Sequence, residues 1–200
     1  MSSPSGFDFT LRMRLLCADM VARTPELSHI DLSRVALSFS RARKRVSWGM
    51  YASLTPLRFA GGEMTTLRRG KLYQVQRLMD GSGREMLYLL SFYLPRFMNL
   101  DFREKLITVF HEMWHISPSF DGDLRRHGGR CFAHTHSQKE YDRQMEILAD
   151  RWLASSPDAE LWEFLKGDFQ ALQTTHGAVF GLRVACPKLV PAVASQAIRR

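Results

Sequence analysis

Two histidines four residues apart, with a glutamate beside the first, stand in the run Thr108-Val109-Phe110-His111-Glu112-Met113-Trp114-His115. On an α-helix, positions i and i+4 share one face, so both imidazoles can reach a single ion. Zinc accepts imidazole nitrogen and, where it performs chemistry, takes three protein ligands plus a water. Glu112 would then stand beside that water as its general base, which is hydrolytic chemistry. A chain with 7 histidines in 200 residues meets this spacing by accident in roughly one case per hundred. The competing reading is a buried amphipathic helix whose histidines are satisfied core polar groups, so the surrounding residues have to decide.

Those residues predict one helix from Leu100 to His115. Asn99 or Asp101 can cap its start, and Asp101 and Glu104 sit near the positive end of its dipole. Phe102, Leu106, Val109 and Met113 recur every three to four residues as an apolar stripe. Pro118 sets its limit, because the residue before a proline leaves the α region. The histidine pair therefore falls in the last two turns, where the following loop can fold back over an ion.

The elements that must position this helix read as an α+β order. Thr10 can cap a first helix to about Arg23, with Met13, Leu16 and Met20 on one face. Val35, Leu37 and Phe39 alternate with Ala36, Ser38 and Ser40, the period of a half-buried strand. Trp48 to Leu54 and Leu72 to Met79 are further strand candidates. Asp80-Gly81-Ser82-Gly83 reads as a hairpin turn into Met86–Leu94, which is apolar on both faces and so central. Ser137-Gln138-Lys139-Glu140 opens a helix to about Ala154 as a capping box. Ser156-Pro157-Asp158 starts another, striped by Leu161, Leu165, Phe169 and Leu172. Ala178 to Ala185 reads as a short strand, and Pro187 to Arg200 as a loosely held tail, like the first eight residues. The expectation is a single domain: an N-terminal helix, a three- to four-stranded mixed sheet packed on the His111 helix, then C-terminal helices.

Composition narrows the setting. At 45% hydrophobic, the chain can bury a real core. No run approaches eighteen apolar residues, so no membrane span and no membrane partner are expected. The N-terminus lacks a basic region followed by an apolar run, and Cys17, Cys131 and Cys186 are few, odd in number and far apart. Neither a secretory signal nor a disulfide framework is expected, which points to the cytoplasm. The net charge of +8 is carried by residues 1–100, with 15 Lys/Arg against 7 Asp/Glu, while residues 101–200 hold 13 of each. The excess centres on Arg41, Arg43, Lys44 and Arg45 and on Arg68-Arg69-Gly70-Lys71. The first cluster can recruit nucleic acid through counterion release, or it is a solvated loop surface. No nucleic-acid motif accompanies it.

A third ligand has several candidates after the helix. His127 adjoins Gly128-Gly129, a pair that lets backbone approach an ion. His134 and His136 flank Thr135 in an extended segment and can point the same way. Glu146, with Asp150 one turn on, is a further option, as are Asp121 and Asp123. The two aspartates can instead orient a ligand's ring nitrogen or make ordinary turn bonds. His136, Tyr141 and His134 are donors able to stabilise an oxyanion.

With these residues in view, the chain resembles the zincin metallopeptidases. Its order of elements is similar to the SprT/Spartan-like branch, in which an α-β-β-β core delivers the H-E-x-x-H helix. The stretch from His111 to Gly128 also resembles uncharacterised metallopeptidase families of phages, bacteria and archaea, where a second His-Gly pair trails the zinc helix. The resemblance is sharp over residues 105–150. It implies Zn²⁺ held by His111, His115 and His127 and Glu112 as general base, while His134, from its place in the extended segment, is the alternative third ligand. Glu146 imitates the glutamate zincins, in which a downstream helix supplies the ligand. The implied activity is peptide hydrolysis. A DNA-associated protease recruited through Arg41–Arg45, a zinc-stabilised binding module without turnover, and a hydrolase of a non-peptide substrate remain open beside it. The sequence leaves the oligomeric state open.

Overall fold

The computed structural model describes residues 6–41, 49–126 and 138–192. In chain order the elements are β1 (Phe7–Asp8), α1 (Phe9–Arg23), β2 (Val35–Arg41), β3 (Ala52–Pro56), β4 (Thr65–Arg68), β5 (Lys71–Val75), β6 (Tyr88–Leu94), α2 (Phe102–Trp114), α3 (Gln138–Ala154), α4 (Phe169–His176), β7 (Val179–Phe180) and β8 (Leu189–Pro191). The α+β class is the one expected. No described helix is long and apolar enough to cross a membrane.

The main sheet has the order β2-β6-β3, with β6 parallel to β2 and antiparallel to β3. β6 takes the central place, and its unbroken apolar run suits a strand covered on both faces. One face packs Leu37, Phe39, Leu90 and Phe92 against Phe9, Met13 and Leu16 of α1 and Leu106, Val109 and Met113 of α2. Each such side chain, fully buried, contributes about 1.5–3 kcal/mol. The other face carries a smaller cluster of Ala36, Leu57, Met86 and Leu89.

Several expectations need correction. Asp8, not Thr10, caps α1: its carboxylate accepts from Leu11 N at 3.0 Å, and the Thr10 hydroxyl donates to the same carboxylate. β2 is buried on both faces rather than one, because the segment after β7 runs beside it. Phe39 N donates to Leu182 O at 3.0 Å and Val184 N to Ser38 Oγ at 2.9 Å. The Asp80–Gly83 turn exists, but it closes only a single bridge, Met79 to Glu85. β5 instead belongs to a second sheet, β4-β5-β8. There β8 takes three residues of the expected tail, and β4 lacks the apolar alternation that would have marked it. The long helix expected after Pro157 is broken into two 3-10 turns, Ala159–Leu161 and Glu163–Lys166, before α4. Gly167 and the Asp168 cap, which accepts from Ala171 N at 2.7 Å, restart the chain there.

Lys105 explains how this broken segment is held. Its ammonium is buried and donates to Leu165 O at 2.8 Å and Gly167 O at 2.7 Å. Burial lowers its pKa, against the opposing pull of Asp168 and Asp101. Lys105→Met keeps the stem and strands two carbonyls. Chemical denaturation of this variant should show a loss of about 2–3 kcal/mol.

Candidate functional site

The functional helix is α2. Its start is set by Asp101 and Glu104, with the Asp101 amide donating to Glu104 Oε2 at 3.1 Å. Leu106, Val109, Phe110 and Met113 are all buried in the core, and this fixes the rotation of the helix about its axis. His111 and His115 are therefore turned to one side. Their ring centroids lie 4.7 Å apart with the planes at 86°. Two nitrogens so placed can serve one divalent cation.

Glu112, about 100° further round the helix, faces the sheet. Its Oε2 accepts the Leu54 amide of β3 at 2.7 Å. Burial pushes its carboxyl up to about 7, and the Leu54 amide opposes that shift. A carboxyl titrating near neutrality can both accept and release a proton. Nothing in the sequence pointed to Leu54, since a backbone donor leaves no residue-type signature. The only hint was that β3 ends in Pro56, a mark of an edge strand.

The end of α2 is bound by the chain that returns to it. Arg125 N donates to His115 O at 2.8 Å, and Arg125 Nε to Trp114 O at 2.7 Å. Its guanidinium also lies 4.1 Å over the Trp114 ring, so one arginine satisfies helix-end carbonyls and stacks on the last turn. Helix α2 ends at Trp114, ahead of Pro118, because Ile116 pairs with Leu124 in an isolated bridge.

The loop from Ser117 to Arg126 is anchored rather than free. The buried Tyr88 hydroxyl of β6 donates to Asp123 O at 2.9 Å and accepts from Gly122 N at 3.0 Å. Burial pushes that phenol up to about 12. Gly122 has φ +88°, and a Cβ there would lie 2.5 Å from Arg58 Cγ, so only glycine fits. Asp123 is buried, accepts Gly61 N at 3.1 Å and holds Arg126 through both oxygens at 2.7 and 3.1 Å. Asp121 accepts Asp123 N at 3.1 Å, the bond of an ordinary turn. These two aspartates serve the loop.

Of the other candidate ligands, Glu146 lies among the described residues. Glu146 lies 4.0 Å from Arg103 on α2, beside Asp150 at 2.7 Å. Arg103 precedes His111 by eight residues, about 12 Å of helix, so Glu146 stands away from the histidine pair. Among the described residues no group of three histidine, cysteine or carboxylate side chains gathers for a metal. His127, Cys131, His134 and His136 lie outside the described residues, as does the side chain of Tyr141. Arg41 is exposed at the end of β2, while Arg43, Lys44 and Arg45 also fall outside.

No protein-family model, curated protein or solved structure matches this chain.

Tyr88→Phe removes both loop bonds from one buried oxygen and should cost about 1–3 kcal/mol in thermal unfolding, with hydrogen exchange rising at Gly122. The Asp123 carboxyl is held below its ordinary 3.8. Burial works against this, but the Arg126 guanidinium and the Leu124 and Gly61 amides outweigh it. A depressed carboxyl stabilises the fold above its unfolded pKa and loses that contribution as pH falls through the folded one. Loop protection should therefore persist at neutral pH and fail only in acid below about 3.8, as amide exchange against pH would show.

Proposed function

We propose that this protein is a zinc-dependent peptidase in which His111 and His115 hold the metal and Glu112 is the general base. The observation that carries the reading is the convergence of the two imidazoles, 4.7 Å apart on one helix face, beside the half-buried Glu112 carboxylate held by the Leu54 amide. The donor set suits zinc, which favours imidazole nitrogen. His127 is the preferred third ligand and His134 the alternative. When bound, zinc supplies Lewis acidity that polarises a carbonyl and acidifies a water.

The chain's own residues do the rest. Glu112 keeps Oε2 on the Leu54 amide, which holds its carboxylate in one orientation and leaves Oε1 to take a proton from water and pass it to the departing nitrogen. The outer edge of β3 adjoins this carboxylate, and its carbonyls can accept main-chain hydrogens from an extended peptide.

One observation favours a second reading, a zinc-stabilised binding module without turnover. The Glu112 bond to Leu54 is also what a purely structural carboxylate would make. Glu112→Gln separates the two, because glutamine still offers an oxygen to the Leu54 amide but cannot act as a base. The variant should retain zinc by elemental analysis and lose peptide hydrolysis by at least about a hundredfold. An undiminished rate would remove Glu112 from the chemistry, and a wild-type protein that binds zinc without cleaving any peptide would favour the module. Metal content of His127→Ala and His134→Ala, measured alongside, decides the third ligand.

A further inference from the structure

The second sheet has an outward face unlike that of an ordinary solvated sheet. β4 and β5 form a tight hairpin whose turn residues, Arg69 and Gly70, have φ of 49° and 74°, the conformation of a two-residue turn with both residues left-handed. Val75, on the inward face, packs against the Leu57–Met86 cluster. By the alternation of a strand, the outward face presents Thr65 and Leu67 of β4, Leu72 and Gln74 of β5, Val190 of β8 and Ala192 just beyond it. Leu67 and Leu72 stand directly opposite one another, 68% and 45% exposed. An antiparallel sheet facing water normally turns polar residues outward; among the described residues the only charge on that face is Lys188, at its far end.

The rim is cationic. Arg68, Arg69 and Lys71 crown the hairpin tip, and residues 64–79 and 182–192 contain no aspartate or glutamate. Arg77 is already held by Glu85 at 2.7 Å. Among the described residues, Arg68, Arg69, Lys71 and Lys188 have no carboxylate partner.

We propose that the tip of this hairpin docks on an anionic lipid bilayer, the leucine pair entering the interfacial layer from one face while Arg69 at the turn and Arg68 and Lys71, which alternation places on the opposite face, meet lipid phosphates at the edge. Charge complementarity selects a polyanion, and the leucines select lipid over nucleic acid. Nucleic acid is bound through its phosphates by cations, with or without stacked aromatic rings, and gains nothing from an exposed aliphatic pair. Here the tip is charged and the aliphatics lie flat behind it. Aliphatic insertion and basic side chains near anionic headgroups add to one another. A contact of this kind needs no membrane-crossing helix, and it is independent of hydrolysis at Glu112.

The test is sedimentation of the full chain with vesicles of phosphatidylcholine alone or mixed with phosphatidylglycerol. Binding should require the anionic lipid, weaken with salt, and fall at least about tenfold for both Arg68→Glu/Lys71→Glu and Leu67→Ser/Leu72→Ser. Circular dichroism and zinc content of the variants report the fold separately. Absence of vesicle binding overturns the proposal. So does binding that the leucine variant leaves intact and duplex DNA competes away, which would make the patch a purely electrostatic nucleic-acid contact.

Discussion

The rotation of α2 about its own axis is the constraint on which the rest of the site depends. Leu106, Val109, Phe110 and Met113 are buried in the main core of a helix that packs chiefly on α3 and β3, and turning the helix would expose them at about 1.5–3 kcal/mol apiece. With that stripe fixed, the 3.6-residue period leaves no freedom to the others. The two imidazoles must lie together, and Glu112, about 100° round from His111, must meet the sheet. The Glu112 bond to Leu54 then ties the helix to β3 at a point where a shift along either element would break it.

The second determinant is the loop beyond the helix. A chain leaving α2 at Trp114 meets Arg125 returning to the same carbonyls, Leu124 bridging Ile116, and Tyr88 holding Gly122 and Asp123 from beneath. The loop is thus built from the middle strand outward, and the chain beyond Arg126 departs from a fixed point close to His115. Support for this loop comes from polar bonds to backbone atoms more than from apolar packing. That is why the irregular composition of the loop, rich in glycine, aspartate and arginine, goes with an ordered path.

The same physics sets how much was legible in the residues alone. Periodicity located α1, α2 and the central β6, because an apolar stripe of period 3.6 or an unbroken apolar run reports burial directly. The spacing of His111 and His115 foretold their shared face for the same reason. Local bonds were less legible. Thr10 and Asp8 both qualify as caps, and only tertiary context, the Leu182 amide claiming the Thr10 hydroxyl at 2.9 Å, assigned the role to Asp8. The helix expected after Pro157 had its stripe but not its continuity, since Gly167 and the pull of Lys105 on two carbonyls favour tighter turns. β4 and β8 carry no pattern because their sheet buries little on either face. Leu54 and Tyr88 act through an amide and a single hydroxyl, which no residue spacing announces.

Among the described residues no strand pairs with the outer border of β3, and that border is poor in donors. Tyr51 and Leu57 bond inward to β6 and its approach, so alternation turns Ala52, Leu54 and Pro56 toward the open side. Of their three possible amide donors, proline lacks one and the Leu54 hydrogen is already given to Glu112. A foreign strand arriving there finds carbonyls but almost no hydrogens to bind. It can rest there briefly, yet it cannot extend the sheet in full register. The bond that orients the acid thus also guards the molecule against self-association through this edge.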